Sequence, residues 1–120
     1  MSMDKEFVGR MENRLVQQKH EIFEKLAKED EEFREIYQDK DPKDLADIAA
    51  DDIDRNTLEA LEAQDIRRLN LIDSALSRIK NGKYGICMSC SEKIPRERLE
   101  AIPYALLCIR CQSSEERRSR

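Results

Sequence analysis

The spacing of apolar residues between Asp4 and Gln38 predicts one long helix. Apolar side chains recur in steps of three, four or seven residues, the spacing of a narrow helical seam. They are Val8, Met11, Leu15, Ile22, Leu26, Phe33 and Ile36, and the seam is interrupted by Lys19 and Glu29. The segment has no proline, and its one glycine is Gly9. We therefore predict a helix of about 35 residues, about 50 Å long.

A second helix is predicted after a break at residues 39–43. Pro42 lacks an amide donor and biases its predecessor away from helix, so the first helix should end before it. Asp44 can cap the next helix, which should run to Lys80 and stop at Asn81 and Gly82. The seam of this helix includes Leu58, Leu69, Ile72, Leu76 and Ile79.

Two helices of similar length joined by a short connector predict an antiparallel hairpin. The fold class is therefore mainly α: a long coiled-coil hairpin over residues 4–80, with its tip near residues 39–49, and a small four-cysteine module over residues 81–112. Residues 113–120 are expected to form a C-terminal helix end or a frayed tail. A single long helix that dimerises in trans is the alternative, but Pro42 favours the hairpin and a monomer.

Four cysteines occur as two C-x2-C pairs, the spacing typical of a structural zinc site. Cys87 and Cys90 form one pair, and Cys108 and Cys111 form the other. Two such knuckles can surround one zinc ion with four sulfurs at about 2.3 Å, leaving no open position for catalysis. Between them, a short helix is predicted from Arg96 until just before Pro103. Thiol redox switching and a rubredoxin-type iron site are the competing interpretations.

Composition limits both the core and the class of partner. Charged residues make up 40% of the chain and aromatic residues 5%, which suits solvated helices better than a thick core. The net charge of −4 disfavours non-specific binding to nucleic acid. No signal peptide or membrane-spanning run is apparent, so the cytoplasm is the expected compartment.

An acidic cluster is predicted at the hairpin tip. Asp44, Asp47 and Asp51 are spaced to share one helix face. Their carboxylates either stabilise the helix start against the macrodipole or bind a divalent cation or basic groups of a partner. An exposed tip has no desolvated pocket to raise a pKa, so we expect no catalytic residue and no enzyme activity.

The basic residues of the cysteine module have two interpretations, and the single histidine has one. Lys93, Arg96, Arg98 and Arg110 either solvate the module or contact a partner. His20, the only histidine, lies off the seam and is expected to be an exposed helix residue.

With these motifs in order, the chain resembles the DksA/TraR transcription regulators. Residues 44–49 fit the tip pattern D-x-x-D-x-A, and residues 84–90 and 107–111 carry the cysteine motifs together with Arg98, Leu99, Glu100, Ala101 and Pro103. The resemblance implies a protein that binds bacterial RNA polymerase without sequence-specific DNA binding. Its tip would enter the secondary channel and alter promoter-complex stability, often together with guanosine tetraphosphate. It also implies that Asp44, Asp47 and Ala49 form the functional tip.

The chain departs from the family pattern at three positions, and two other classes of protein remain as alternatives. Members that respond to guanosine tetraphosphate use basic residues at positions that align here with Leu71, Ile102 and Gln112, so dependence on that nucleotide is not expected. A transcript-cleavage factor of the GreA kind also carries acidic residues at a hairpin tip, but the zinc module argues against it. A four-cysteine DNA-binding finger would need a basic reading surface, which the acidic balance disfavours.

Overall fold

The computed structural model describes residues 4–38, 47–49 and 52–118, except for the side chain at position 36. This part of the chain is helical, and its only β-structure is one isolated bridge between Ile86 and Lys93. The helices are α1 (Lys5–Glu29), α2 (Glu31–Gln38), α3 (Arg55–Leu58), α4 (Ala63–Lys80), α5 (Arg96–Ala101) and α6 (Ile109–Arg118). The predicted mainly helical class, including the short C-terminal helix, is confirmed. None of the described helices is both long and apolar enough to cross a membrane.

Helices α1 and α4 pack antiparallel and form the centre of the molecule. Lys19 Nζ lies 2.5 Å from Asp73 Oδ1, and Lys25 Nζ lies 3.3 Å from Asp65 Oδ2. Residue numbers therefore increase along α1 in the direction in which they decrease along α4. The apolar faces of both helices are buried in the core, at Met11, Leu15, Ile22, Leu26, Leu69, Ile72 and Ala75. The predicted antiparallel pairing therefore holds for these two helices.

The first helix is shorter than predicted, because it ends at Glu29. Asp30 adopts an extended backbone, and its side-chain Oδ1 accepts a hydrogen bond from the Phe33 amide 2.9 Å away. Asp30 thus caps the start of α2, whose first turn contains the acidic residues Glu31 and Glu32. Acidic side chains stabilise a helix at its N-terminus. The prediction of one helix from Asp4 to Gln38 is wrong because the Asp30 cap and the acidic first turn of α2 favour a new helix start.

Helix α2 folds back against α1 instead of extending it. The rings of Phe33 and Phe23 meet edge to face with centroids 5.3 Å apart, and Phe33 is buried. The Tyr37 hydroxyl lies 2.8 Å from His20 Nε2. His20 is therefore half-buried and hydrogen-bonded, and the expectation of an exposed histidine is wrong.

The second helix is also interrupted. Helix α3 is only one turn long, capped by Asp54, whose Oδ1 accepts from the Asn56 amide at 2.9 Å. A turn separates it from α4, which begins at Ala63. The predicted continuous helix from Asp44 to Lys80 is therefore wrong: residues 47–49 and 59–62 are not helical, and α3 covers only Arg55–Leu58. The break at residues 39–43, the Asp44 cap and the Asp51 carboxylate lie outside the described residues.

The end of α4 follows the sequence prediction. The helix stops at Lys80, and Gly82 takes a positive φ of 71°, a conformation in which other residues are strained. The Lys83 amide donates to the Arg78 carbonyl at 2.8 Å, which satisfies an otherwise free carbonyl of the last turn. Helix α6 crosses the predicted boundary at residue 112, so the last segment continues the cysteine module as helix.

Lys19 belongs to the seam instead of interrupting it. The side chain is 2% exposed, and its Nζ lies over the Phe23 ring, 5.7 Å from the centroid, as well as against Asp73. The aliphatic part of a lysine can pack with apolar neighbours while its charge is paired. The interpretation of Lys19 as a gap in the core is therefore wrong.

The folded-back arrangement makes the molecule compact. Its principal extents are 43 × 38 × 20 Å, with a radius of gyration of 15.3 Å. A helix of about 35 residues would alone reach about 50 Å. The predicted long hairpin with Asp47 at its far tip does not describe this conformation.

Candidate metal centre

The first pair of cysteines lies in a tight hairpin that follows α4. The Cys87 amide donates to the Glu92 carbonyl and the Ile94 amide to the Gly85 carbonyl, both at 2.8 Å. Ser91 takes a positive φ of 65°, which turns the chain directly after Cys90. These contacts fold residues 87–90 into a knuckle with both sulfurs on one side.

The second pair lies at the start of α6. The Cys108 carbonyl accepts from the Gln112 amide at 2.9 Å, so Cys108 precedes the helix and Cys111 lies in its first turn. The Met88 amide donates to the Leu106 carbonyl at 2.9 Å, which joins the two knuckles. This main-chain contact brings together residues that are 18 positions apart in the sequence.

All four sulfurs converge on one point. Their Sγ atoms lie within 4.8 Å of one another, and Cys90 Sγ is 3.8 Å from Cys108 Sγ. A tetrahedral zinc ion with bonds of about 2.3 Å holds its sulfurs about 3.8 Å apart. No disulfide joins these cysteines, which are free thiols in the described chain. The donor set fits one structural zinc ion held by Cys87, Cys90, Cys108 and Cys111, as predicted.

The surroundings of the sulfurs favour thiolates at some positions and thiols at others. Burial raises the pKa of Cys87, but amide N–H groups, including that of Ser89 at 3.4 Å, outweigh it and lower the pKa to about 6. The Cys111 amide lowers the pKa of Cys108. Hydrogen bonding with Cys108 raises the pKa of Cys111 to about 12. Without a cation, the four groups cannot all ionise so close together, and a bound zinc ion removes that restriction.

A small apolar cluster supports the knuckles. Ile94 and Leu99 are fully buried, and Ile86, Ile102 and Leu106 are half-buried. Helix α5 supplies Leu99 and runs from Arg96 to Ala101, so the short helix predicted between the cysteine pairs is confirmed. Because the cluster has so few large side chains, we expect metal binding to contribute most of the folding free energy of this segment.

Tyr84 joins the two halves of the module through a buried hydrogen bond. Its hydroxyl donates to the Pro103 carbonyl at 2.8 Å, and burial raises its pKa to about 12. Tyr84→Phe should destabilise the zinc-loaded protein by about 1–3 kcal/mol, because the carbonyl loses its partner. Urea denaturation at pH 7 measures this loss.

Because the pKa of Tyr84 is raised, the stabilisation that its hydroxyl provides depends on pH. Folding favours the neutral phenol, so this stabilisation is present below pH 10 and is lost as the pH rises through about 12. The difference between the parent and Tyr84→Phe should therefore shrink above pH 10. A difference that stays constant to pH 12 would contradict this assignment.

The four basic candidates divide into two pairs. Arg96 pairs with Asp4 and lies over the Phe7 ring, 4.6 Å from its centroid, and Arg98 Nε donates to the Leu107 carbonyl at 3.0 Å. These two arginines hold the module together and attach it to α1. Lys93 and Arg110 are exposed and remain candidates for partner contacts.

Two of the three tip residues are described, and they lie against the helix pair. Asp47 Oδ1 is 4.0 Å from Lys80 Nζ, at the end of α4 beside the cysteine module. Asp47 and Ala49 line a groove of about 230 Å³ with residues of α1 and α4. The structure therefore places Asp47 near the cysteine module and not at the far tip of a hairpin. Asp44 lies outside the described residues.

The three positions that the family resemblance would place at a nucleotide site lie together in one groove. Leu71, Ile102 and Gln112 line it with Met88 and Tyr104, and its volume is about 640 Å³. Leu71 and Met88 are exposed. Among the described residues that line this groove, Arg98 is the only basic one, and its Nε already donates to a carbonyl. The groove therefore offers apolar surface where a polyphosphate would need cations.

Sequence reasoning missed two features near these sites. It did not identify Lys80 as the partner of Asp47, since 32 intervening positions gave no sign of a contact. It also missed the contact of His20 with Tyr37 and with Glu24, whose Oε1 lies 3.5 Å from His20 Nε2. The i to i+4 spacing of His20 and Glu24 was the available signal for the second.

Comparison with known proteins identifies similar zinc fingers and similar whole chains. Residues 82–117 match the family model of the prokaryotic DksA/TraR C4-type zinc finger. An uncharacterised protein of Aquifex aeolicus is 37% identical over 118 residues, which cover 98% of this chain and 81% of that protein.

Two further matches are to proteins named as transcription factors. The RNA polymerase-binding transcription factor DksA of Caulobacter vibrioides is 43% identical over 79 residues, covering 64% of this chain and 54% of that protein. The solved structure of transcription factor DksA2 from Pseudomonas aeruginosa is 30% identical, with a TM-score of 0.64 over 97% of this chain and 88% of that one.

Proposed function

We propose that this chain, which belongs to the DksA/TraR family of C4 zinc-finger proteins, regulates transcription by binding bacterial RNA polymerase in the cytoplasm. The observation that carries the proposal is an antiparallel helix pair joined to a four-sulfur cluster. The matched part of the chain spans about half of the Caulobacter protein whose name specifies polymerase binding. Polymerase binding by this chain is therefore inferred from the family.

We further propose that the acidic segment acts in the secondary channel of the polymerase. Asp44, Asp47 and Ala49 would approach the catalytic centre there and alter the stability of promoter complexes. The exposed residues Lys93 and Arg110 would contact the polymerase from the zinc module. Negative charge near the metal-bound active site is the physical means by which Asp47 would act.

We propose that guanosine tetraphosphate contributes little to this regulation. Phosphate groups are bound through cationic donors, and Leu71, Ile102 and Gln112 supply none. Met88 and Tyr104, which line the same groove, supply no cation either. Addition of the nucleotide should therefore leave the effect of this protein on promoter complexes unchanged.

Asp47→Asn should retain polymerase binding and lose about tenfold in its effect on promoter-complex lifetime. The neutral amide lacks the negative charge by which Asp47 would act on the active site, and contacts of charged groups contribute about 1.5–3 kcal/mol. The measurement is in vitro transcription with purified polymerase, with and without guanosine tetraphosphate, alongside a direct binding assay.

Glu59→Gln is the matched control, because it removes one exposed carboxylate from the turn after α3. The control should regulate as the parent does. Equal regulation by Asp47→Asn and the parent would remove Asp47 from the mechanism. Absence of any polymerase binding by the parent would remove the proposed function itself.

A further inference from the structure

We propose that the described conformation is a closed, autoinhibited state, in which α2 and residues 47–49 are folded back onto α1 and α4. This inference rests on the proposed function, because Asp47 and Ala49 cannot enter a narrow channel while they lie against the helix pair. Opening would release them as the hairpin lengthens. Two sets of contacts hold the closed state.

The first set of contacts holds residues 47–49 in the groove between α1 and α4. Asp47 pairs with Lys80, and the groove wall includes Val16 of α1 and Leu76 of α4. Ile48 is half-buried and packs against the core. The ion pair is exposed at both ends, so it is a weak contact whose loss changes the closed-to-open ratio by only a few-fold.

The second set of contacts is at Asp30, where α1 gives way to α2. The Asp30 backbone amide donates to the Leu26 carbonyl at 2.9 Å, at the end of α1. Its side-chain Oδ1 accepts from the Phe33 amide, at the start of α2. Phe33 then packs against Phe23. In a straight helix Asp30 would lose its capping role and occupy an interior position, which aspartate tolerates poorly. Asp30 therefore favours the closed state.

The same sequence also encodes the open state. Ile22, Leu26 and Phe33 keep helical spacing across Asp30, so α1 and α2 could join into one helix with a continuous apolar face. Folding back places Phe33 against Phe23, and straightening would return it to the apolar face of one long helix. Two packings of one sequence can differ little in free energy, and a partner that binds only one of them selects it. Polymerase would select the open form.

The closure is tested by small-angle X-ray scattering on the intact, zinc-loaded chain. The parent should give a radius of gyration near the 15.3 Å of the closed form. Asp30→Ala should favour the open form about tenfold, because alanine removes the cap and strengthens a continuous helix. Its longest dimension should exceed the closed extent of 43 Å. Lys80→Glu should shift in the same direction by a few-fold, since it places like charge beside Asp47.

Matched controls separate opening from a change of charge. Glu29→Ala removes the neighbouring carboxylate, which is exposed and caps nothing. Lys83→Glu reverses an exposed lysine that follows the α4 stop. Both controls should scatter as the parent does. If Asp30→Ala and Lys80→Glu also scatter as the parent does, the proposal that these contacts hold a closed state is wrong.

In vitro transcription tests whether closure is inhibitory. Asp30→Ala should reach half of its maximal effect on promoter complexes at about a tenfold lower protein concentration than the parent. The double variant Asp30→Ala/Asp47→Asn should not show this gain. An opened variant that regulates no better than the parent would overturn autoinhibition. If the parent and both opened variants fail to affect the polymerase, the proposed function fails, while scattering still decides whether the chain is closed.

Discussion

Cys108→Ala is expected to abolish stable zinc binding and to unfold the segment that the four cysteines join. Cys108 is buried, and its sulfur lies 3.8 Å from that of Cys90. Zinc binding contributes on the order of 10 kcal/mol to the folding of small four-ligand modules. The apolar cluster around Leu99 is too small to replace that contribution. Helices α5 and α6 should therefore lose their fixed positions.

Native mass spectrometry and limited proteolysis check this result. The parent should carry one zinc ion per chain after dialysis against a weak chelator, and Cys108→Ala should carry none. Trypsin should then cut the variant readily at Arg98 and Arg110. A strong chelator should produce the same cleavage in the parent, since metal loss and ligand loss have the same consequence.

Met88→Ala is the matched control for the cysteine variant. Met88 lies in the same knuckle with a side chain that is 57% exposed, and only its backbone amide bonds to Leu106. This variant should keep its zinc and its resistance to trypsin. A zinc-free Cys108→Ala protein that resists trypsin as well as Met88→Ala would show that the apolar cluster suffices.

The metal centre was predictable because its signals are local. Each C-x2-C pair fixes one knuckle through short-range geometry, and the two knuckles need only a single ion to meet. The helix stop at Gly82 and the short helix before Pro103 likewise depend on neighbouring residues. These elements required no knowledge of distant contacts.

The positions of α2 and of residues 47–49 were not predictable from the same pattern. Helical spacing of apolar residues is satisfied by one straight helix and by two helices folded together, so the position of Phe33 could not distinguish them. The deciding contacts are Asp30 with the Phe33 amide and Asp47 with Lys80, one a cap and the other a distant ion pair. Residues 39–46 and 50–51 lie outside the described part of the chain, so the Pro42 turn stays a prediction.

The burial of Lys19 was also not predicted from the sequence. Lys19 looked like a gap in the seam because lysine is seldom buried without a partner. The carboxylate that pairs with it, Asp73, is 54 positions away and becomes its neighbour only when α1 and α4 pack antiparallel. Tertiary pairing, which a single-helix pattern does not contain, therefore decides which charged residues enter the core.

Ile72→Ala should lower the free energy of unfolding of the zinc-loaded protein by about 2–5 kcal/mol, the usual range for removing a large aliphatic side chain from a core. Ile72 is fully buried between α1 and α4, where the cavity cannot collapse without moving a helix. Leu71→Ala is the matched control, because it deletes the same number of carbons from the adjacent residue, which is 38% exposed. It should cost less than about 1 kcal/mol. Urea denaturation followed by circular dichroism measures both, and equal losses would mean that α4 does not pack through the Ile72 face.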